Sequence, residues 1–141
     1  MSRLLEVKNV SAGYGEFKVL HDISIYVDKG EIVAVVGSNG AGKTTLLRTI
    51  MGYTTLYSGS ISFKGLDITS LKVHERVRLG LSMVPEGRGL FPNLSVEENL
   101  LAGAYLEKDR SKIRERLELV YHIFPRLKER RRQLTGSLSG G

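Results

Sequence analysis

The segment Gly37-Ser38-Asn39-Gly40-Ala41-Gly42-Lys43-Thr44 fits the phosphate-loop pattern G-x-x-x-x-G-K-[ST]. Its surroundings support the match. The β-branched run Glu31–Val36 stands before it and reads as a buried strand. After it, Leu46, Leu47 and Ile50 recur at helical spacing, and Gly52 supplies a stop. Strand, glycine-rich bend and helix together make a nest of inward N–H groups at the positive end of a helix dipole. In that reading Lys43 supplies a mobile cation for the β- and γ-phosphates, and the Thr44 hydroxyl is placed for Mg²⁺.

Working outward, Leu4–Val10 reads as a first strand and Ser11–Gly15 as a turn carrying Tyr14 between two glycines. Ile23, Ile25 and Val27 alternate with polar partners, as do residues 60–65, so both are expected as half-buried strands. A short helix is expected over Val73–Leu79, a brief strand over Leu81–Val84, and a loop over 85–92. Ser95-Val96-Glu97-Glu98 is a capping box, opening a helix to about Ala104. Ile113, Leu117, Val120, Tyr121 and Phe124 mark a longer amphipathic helix that stops before Pro125.

The bulk properties fit one modest domain. The chain has 141 residues, 41% of them hydrophobic and 26% charged. There is no cysteine, which excludes disulfides and thiolate metal sites. No apolar run approaches a membrane span, and no signal peptide is visible, so a cytosolic location is the default. The net charge of +6 is concentrated late: residues 106–141 hold ten Lys/Arg against five Asp/Glu. That cluster peaks at Arg126–Arg132. No aromatic side chains are interleaved with it, so a solvated face is expected in preference to a nucleic-acid site.

With these motifs in order, the chain resembles the ATP-binding subunit of an ABC transporter. The resemblance implies an α/β P-loop fold of the ABC type with an N-terminal antiparallel part and a helical subdomain. Residues 1–90 would form the β-rich part and P-loop core, 91–137 the helical subdomain, and 138–141 the start of the family signature. Tyr14 matches the aromatic that stacks on adenine. Gly37 through Thr44, with Thr45, match the nucleotide-binding loop. Glu86 stands where the wider family has a glutamine that contacts Mg²⁺ and the membrane subunits. Leu138-Ser139-Gly140-Gly141 matches the signature, which acts in trans on the partner subunit's nucleotide. The string Val84–Arg88, with Leu90-Phe91-Pro92 and Ser95–Leu100, is similar to subunits of branched-chain amino-acid importers.

Further expectations follow from the resemblance. The cofactors are ATP and Mg²⁺. The partners are a second ATP-binding subunit, identical or similar, the transmembrane permease subunits and, indirectly, a periplasmic amino-acid-binding protein, with no nucleic acid. The location is the cytoplasmic face of the inner membrane. The sequence stops inside the signature, so no residue here matches the family's general base or histidine switch. His21, His74 and His122 all precede the signature. No catalytic residue is therefore assigned, and the chain alone is expected to bind nucleotide without turnover. Strands from beyond the signature complete the family's sheet, so the 31–36 strand is expected to have an open edge and the isolated chain marginal stability.

Overall fold

The computed structural model describes residues 2–87 and 89–139. They fall into two compact units, Met1–Met83 and Val84–Gly141. The first unit is built on a four-stranded antiparallel sheet of order β2-β1-β3-β4. Its strands are β1 (Arg3–Tyr14), β2 (Phe17–Asp28), β3 (Thr55–Phe63) and β4 (Leu66–Asp67). Register is set by the apolar face: Val7 pairs with Ile25 on one side and Ile61 on the other. A slip by one residue would turn those side chains to water.

β1 does not end at Val10 as expected. It continues through Ser11 to Tyr14, and the turn shrinks to Gly15 and Glu16. Bulges make this possible. Asn9 and Asp22 both have φ of 51°, the left-handed region that these two residue types tolerate. The Asn9 carboxamide donates to Asp22 Oδ1 at 2.9 Å, Asn9 N–H to Ser24 Oγ at 2.8 Å, and Asp22 N–H to Ser11 Oγ at 3.0 Å. The polar groups freed by the bulges are thus re-paired, and the strand bends without leaving the sheet.

One face of the sheet carries α1 (Lys43–Met51). Leu46 and Ile50 join Val7, Val10, Ile61 and Ile68 in a single buried cluster. Each such side chain contributes roughly 1.5–3 kcal/mol when fully buried, so the helix that follows the phosphate loop is anchored by its apolar stripe. The far end of α1 is held by α2 (Val73–Arg78). Arg76, 4% exposed, donates to the carbonyls of Thr49 (3.0 Å), Ile50 (2.9 Å), Thr69 (3.1 Å) and Leu71 (3.0 Å).

Two expected strands are not formed. Residues 31–36 join no strand ladder among the described residues, and Ile32 and Val36 are 96% and 88% exposed. The 81–84 segment is likewise without a ladder, with Val84 at 86%. β-branched composition gives a preference, but a strand also needs a neighbour to take its backbone hydrogen bonds.

The second unit is helical: α3 (Val96–Ala102), α4 (Arg110–Ile123), α5 (Pro125–Glu129) and a 3-10 turn over Thr135–Ser137. The capping box forms: Glu98 N–H donates to Ser95 Oγ at 3.1 Å and Ser95 N–H to Glu98 Oε2 at 2.9 Å. α3 ends two residues short of Ala104, at a C-cap on Gly103. No helix among the described residues is long and apolar enough to cross a membrane.

α3 and α4 are joined by a polar contact. The buried Tyr121 donates its hydroxyl to Glu97 Oε2 at 2.9 Å. Burial, then the bond to the Glu97 carboxylate, pushes the phenol from 10.0 up to about 12. The folded chain therefore keeps a proton that the unfolded chain has lost between those values, and stability falls as pH rises through this window. Comparing denaturant midpoints from pH 9 to 12, Tyr121→Phe should show a shallower alkaline decline than the wild type. Identical slopes would contradict the assignment.

Candidate functional site

The phosphate loop is closed onto β2 by Gly42, the second fixed glycine of the motif. Gly42 has φ of 100°, and a Cβ there would lie 2.9 Å from Leu20 Cδ2. Gly40, at φ 84°, has open space where a Cβ would be. Both positions demand glycine for conformation, and Gly42 also for room. Ala41 N–H bonds to Ser38 O at 3.2 Å, which tightens the bend, and Leu46 N–H to Gly42 O at 2.8 Å starts the helix.

The donors that this geometry leaves over are the main chemical feature. Among the described residues, no acceptor pairs with the backbone N–H groups of Gly40, Gly42, Lys43, Thr44 or Thr45. Those of Gly42 to Thr45 are the orphan donors of a helix start, where the dipole is positive, and that of Gly40 lies in the loop before it. Lys43 folds back over the loop, its ammonium donating to Gly37 O and, at 3.3 Å, to Ser38 O. A cation and several unspent amides thus meet at one bend. Thr44 is exposed, whereas Thr45 is 8% exposed and turned into the unit.

Tyr14 is brought to the same helix. Its hydroxyl lies 3.4 Å from Thr45 Oγ1 and accepts from Arg48 Nη1 at 3.2 Å. The hydrogen bonds to Thr45 and then Arg48 hold its phenol below the usual tyrosine range. The residue is 41% exposed.

The remaining expected site residues lie in the second unit. Glu86 is exposed in a turn that continues through Gly87, which has φ of 78°. Leu138 follows the 3-10 turn, its N–H bonded to Thr135 O at 3.1 Å, and Ser139 makes a polar interaction of its own. Gly140 and Gly141 are outside the described residues. The approach to the signature is tied down by Asn99. Its carboxamide accepts from Phe91 N–H at 2.9 Å, donates to Phe91 O at 3.1 Å, and reaches Thr135 Oγ1 at 3.2 Å. Thr135 N–H bonds to Leu94 O at 3.0 Å and Gly136 N–H to Pro92 O at 3.1 Å. Sequence reasoning missed Asn99, Arg48 and Arg76, because each works through partners distant in the chain.

The sequence pattern described as ABC transporter matches residues 20–141. The chain belongs to this family. Relatives with 44% and 40% identity over 138 residues are a high-affinity branched-chain amino acid transport ATP-binding protein of Pseudomonas aeruginosa and a probable one of Archaeoglobus fulgidus. Both alignments take in 98% of this ABC chain but only 59% and 58% of the relatives, so it spans under two thirds of their length. Among solved structures, an ATP-binding subunit of an ABC transporter superposes with a TM-score of 0.80 at 34% identity, covering 96% of this chain and 56% of that one. An ATP-binding cassette in its ADP conformation gives 0.78 at 26% identity, over 99% and 60%. The fold is therefore that of part of an ABC cassette, with its antiparallel sheet and helices.

ABC ATPases bind ATP with Mg²⁺, and the residues present fit both. The unspent amides of the bend and Lys43 are donors for phosphate oxygens. No three His, Asp or Glu side chains gather among the described residues. Mg²⁺ takes one or two protein oxygens and fills its octahedron with phosphate and water. Thr44 offers one such oxygen.

Proposed function

We propose that this chain is the nucleotide-binding part of an ABC importer's ATP-binding subunit, with branched-chain amino acids as the transported class. The observation that carries the nucleotide reading is the bend at 40–45, whose N–H groups at Gly40, Gly42, Lys43, Thr44 and Thr45 have no acceptor among the described residues and over which the Lys43 ammonium folds back. We assign nucleotide binding to Tyr14, Gly37, Ser38, Asn39, Gly40, Ala41, Gly42, Lys43, Thr44 and Thr45. The loop's amides and Lys43 hold the phosphates, and the ring of Tyr14 takes the base by stacking. Thr44 and Glu86 are assigned to Mg²⁺. When bound, that ion neutralises charge on the β- and γ-phosphates. Leu138 to Gly141 would grip the nucleotide of a second subunit.

The substrate class rests on the two relatives, whose names state branched-chain amino acid transport. In this reading the whole protein couples ATP hydrolysis to import. It works as a pair of ATP-binding subunits on the cytoplasmic face of the membrane, with permease subunits and, through them, a binding protein. The residues described here serve binding. The organisation proposed is a P-loop core over 1–90, a helical subdomain over 91–137 and the signature from 138.

Lys43→Ala tests the nucleotide reading. Loss of a charge-assisted contact to phosphate costs about 1.5–3 kcal/mol, so ATP affinity by calorimetry should fall roughly tenfold to a hundredfold. Unchanged affinity would contradict the site.

A further inference from the structure

Tyr14 is attached at two points. Its backbone is the last residue of β1, and its hydroxyl is bound over the first turns of α1 by Thr45 at 3.4 Å and Arg48 at 3.2 Å. Arg48 is exposed and makes no ion pair among the described residues. Its terminal nitrogen is spent on a neutral phenol. A tyrosine held at both ends keeps only rotation about the axis joining them. The position and long axis of the ring are then set before any ligand arrives, while two fifths of the residue stays open to solvent (41%).

We propose that Arg48 is a positioning residue for nucleotide recognition: it holds the Tyr14 hydroxyl against α1, so that the ring is preset to stack on a purine base. The inference rests on the ATP-binding reading above and extends it to a residue outside the phosphate-loop motif. Thr45 is the second anchor, and its burial fixes that anchor in place. The lowered phenol of Tyr14 agrees with donors directed at its oxygen. Presetting saves the ordering cost of one side chain, which corresponds to roughly twofold to tenfold in affinity. It acts on the base and leaves the phosphates untouched.

The test compares ATP with inorganic tripolyphosphate, which has the phosphates without the base. Calorimetric affinities are measured for the wild type, Arg48→Ala, Tyr14→Phe and the double variant, each as the full chain. Arg48→Ala and Tyr14→Phe should each weaken ATP by roughly twofold to tenfold. The double variant should be no weaker than Tyr14→Phe, because that change already removes the hydroxyl on which Arg48 acts. Tripolyphosphate affinity should be the same in all four, which also reports that each variant is folded. Arg48→Lys, which keeps a donor, should recover part of the loss. Equal ATP affinity in wild type and Arg48→Ala overturns the inference alone. So does a matching loss for tripolyphosphate, which would mean that Arg48 touches phosphate directly, and so does additivity in the double variant. A wild-type chain that binds neither ligand overturns the nucleotide reading and this inference together.

Discussion

Arg76→Met lowers the stability of the chain by about 3 kcal/mol, the expected cost of removing one side of a buried charged hydrogen-bond network. Arg76 is 4% exposed and donates to four backbone carbonyls. Two of them, Thr49 O and Ile50 O, belong to the last turn of α1, where carbonyls lack helical partners. The guanidinium also sits at the negative end of that helix dipole. Burial lowers its pKa, yet arginine stays charged, so its cost is offset only by these carbonyls. Methionine fills similar volume and strips the donor from Ile50 O, Thr69 O and Leu71 O, while Thr49 O keeps its bond from Gly52 N–H at 3.1 Å. Lysine would restore charge but cannot span the four from one ammonium, so Arg76→Lys should recover only part of the loss. Urea midpoints check both, and a methionine variant within 1 kcal/mol of wild type would contradict this account of α1.

Gly59→Ala is the second large effect. Gly59 lies in β3 at the level of the β1 bulge, with φ of 91°. A Cβ there would stand 2.3 Å from Asn9 O and 2.6 Å from both Asn9 C and Lys8 O, all backbone atoms. No rotamer change relieves such a contact, so β1 and β3 must separate or the bulge must be rebuilt. The left-handed backbone adds about 1–3 kcal/mol of strain for a residue with a side chain. Loss of the β1–β3 register would be the result, seen as collapse of amide-exchange protection at Val7 and Ile61. Retained protection at those amides would refute the prediction. The opposite expectation holds for Gly65, where an added Cβ meets nothing within 4 Å and only its φ of 77° opposes substitution.

What the sequence made legible was local. The phosphate loop shows itself because left-handed bends require glycine at Gly40 and Gly42, and the helix after it because Leu46 and Ile50 share a face. Ser95 and Glu98 form a cap that needs only four consecutive residues. Long-range pairing was not legible. Residues 31–36 have strand composition, but whether a strand forms depends on a neighbour, and composition does not contain that neighbour. Arg76 reads as one more surface arginine on a short helix until α1, some 27 positions away, delivers its carbonyls. Asn99 and Thr135, 36 residues apart, meet in the same way. The one sequence sign of the long β1 is the pair Asn9 and Asp22, residue types that accept the left-handed bulge conformation and meet across the hairpin.

The central claim is that the amides of one bend, with Lys43 beside them, close on the phosphates of ATP. Backbone amide shifts followed by NMR during titration with Mg²⁺ and ATP address it residue by residue. The account predicts large, saturable changes at Gly40, Gly42, Lys43, Thr44 and Thr45, with β3 and β4 nearly still. Saturable changes confined to other segments, or none at millimolar nucleotide, would contradict it.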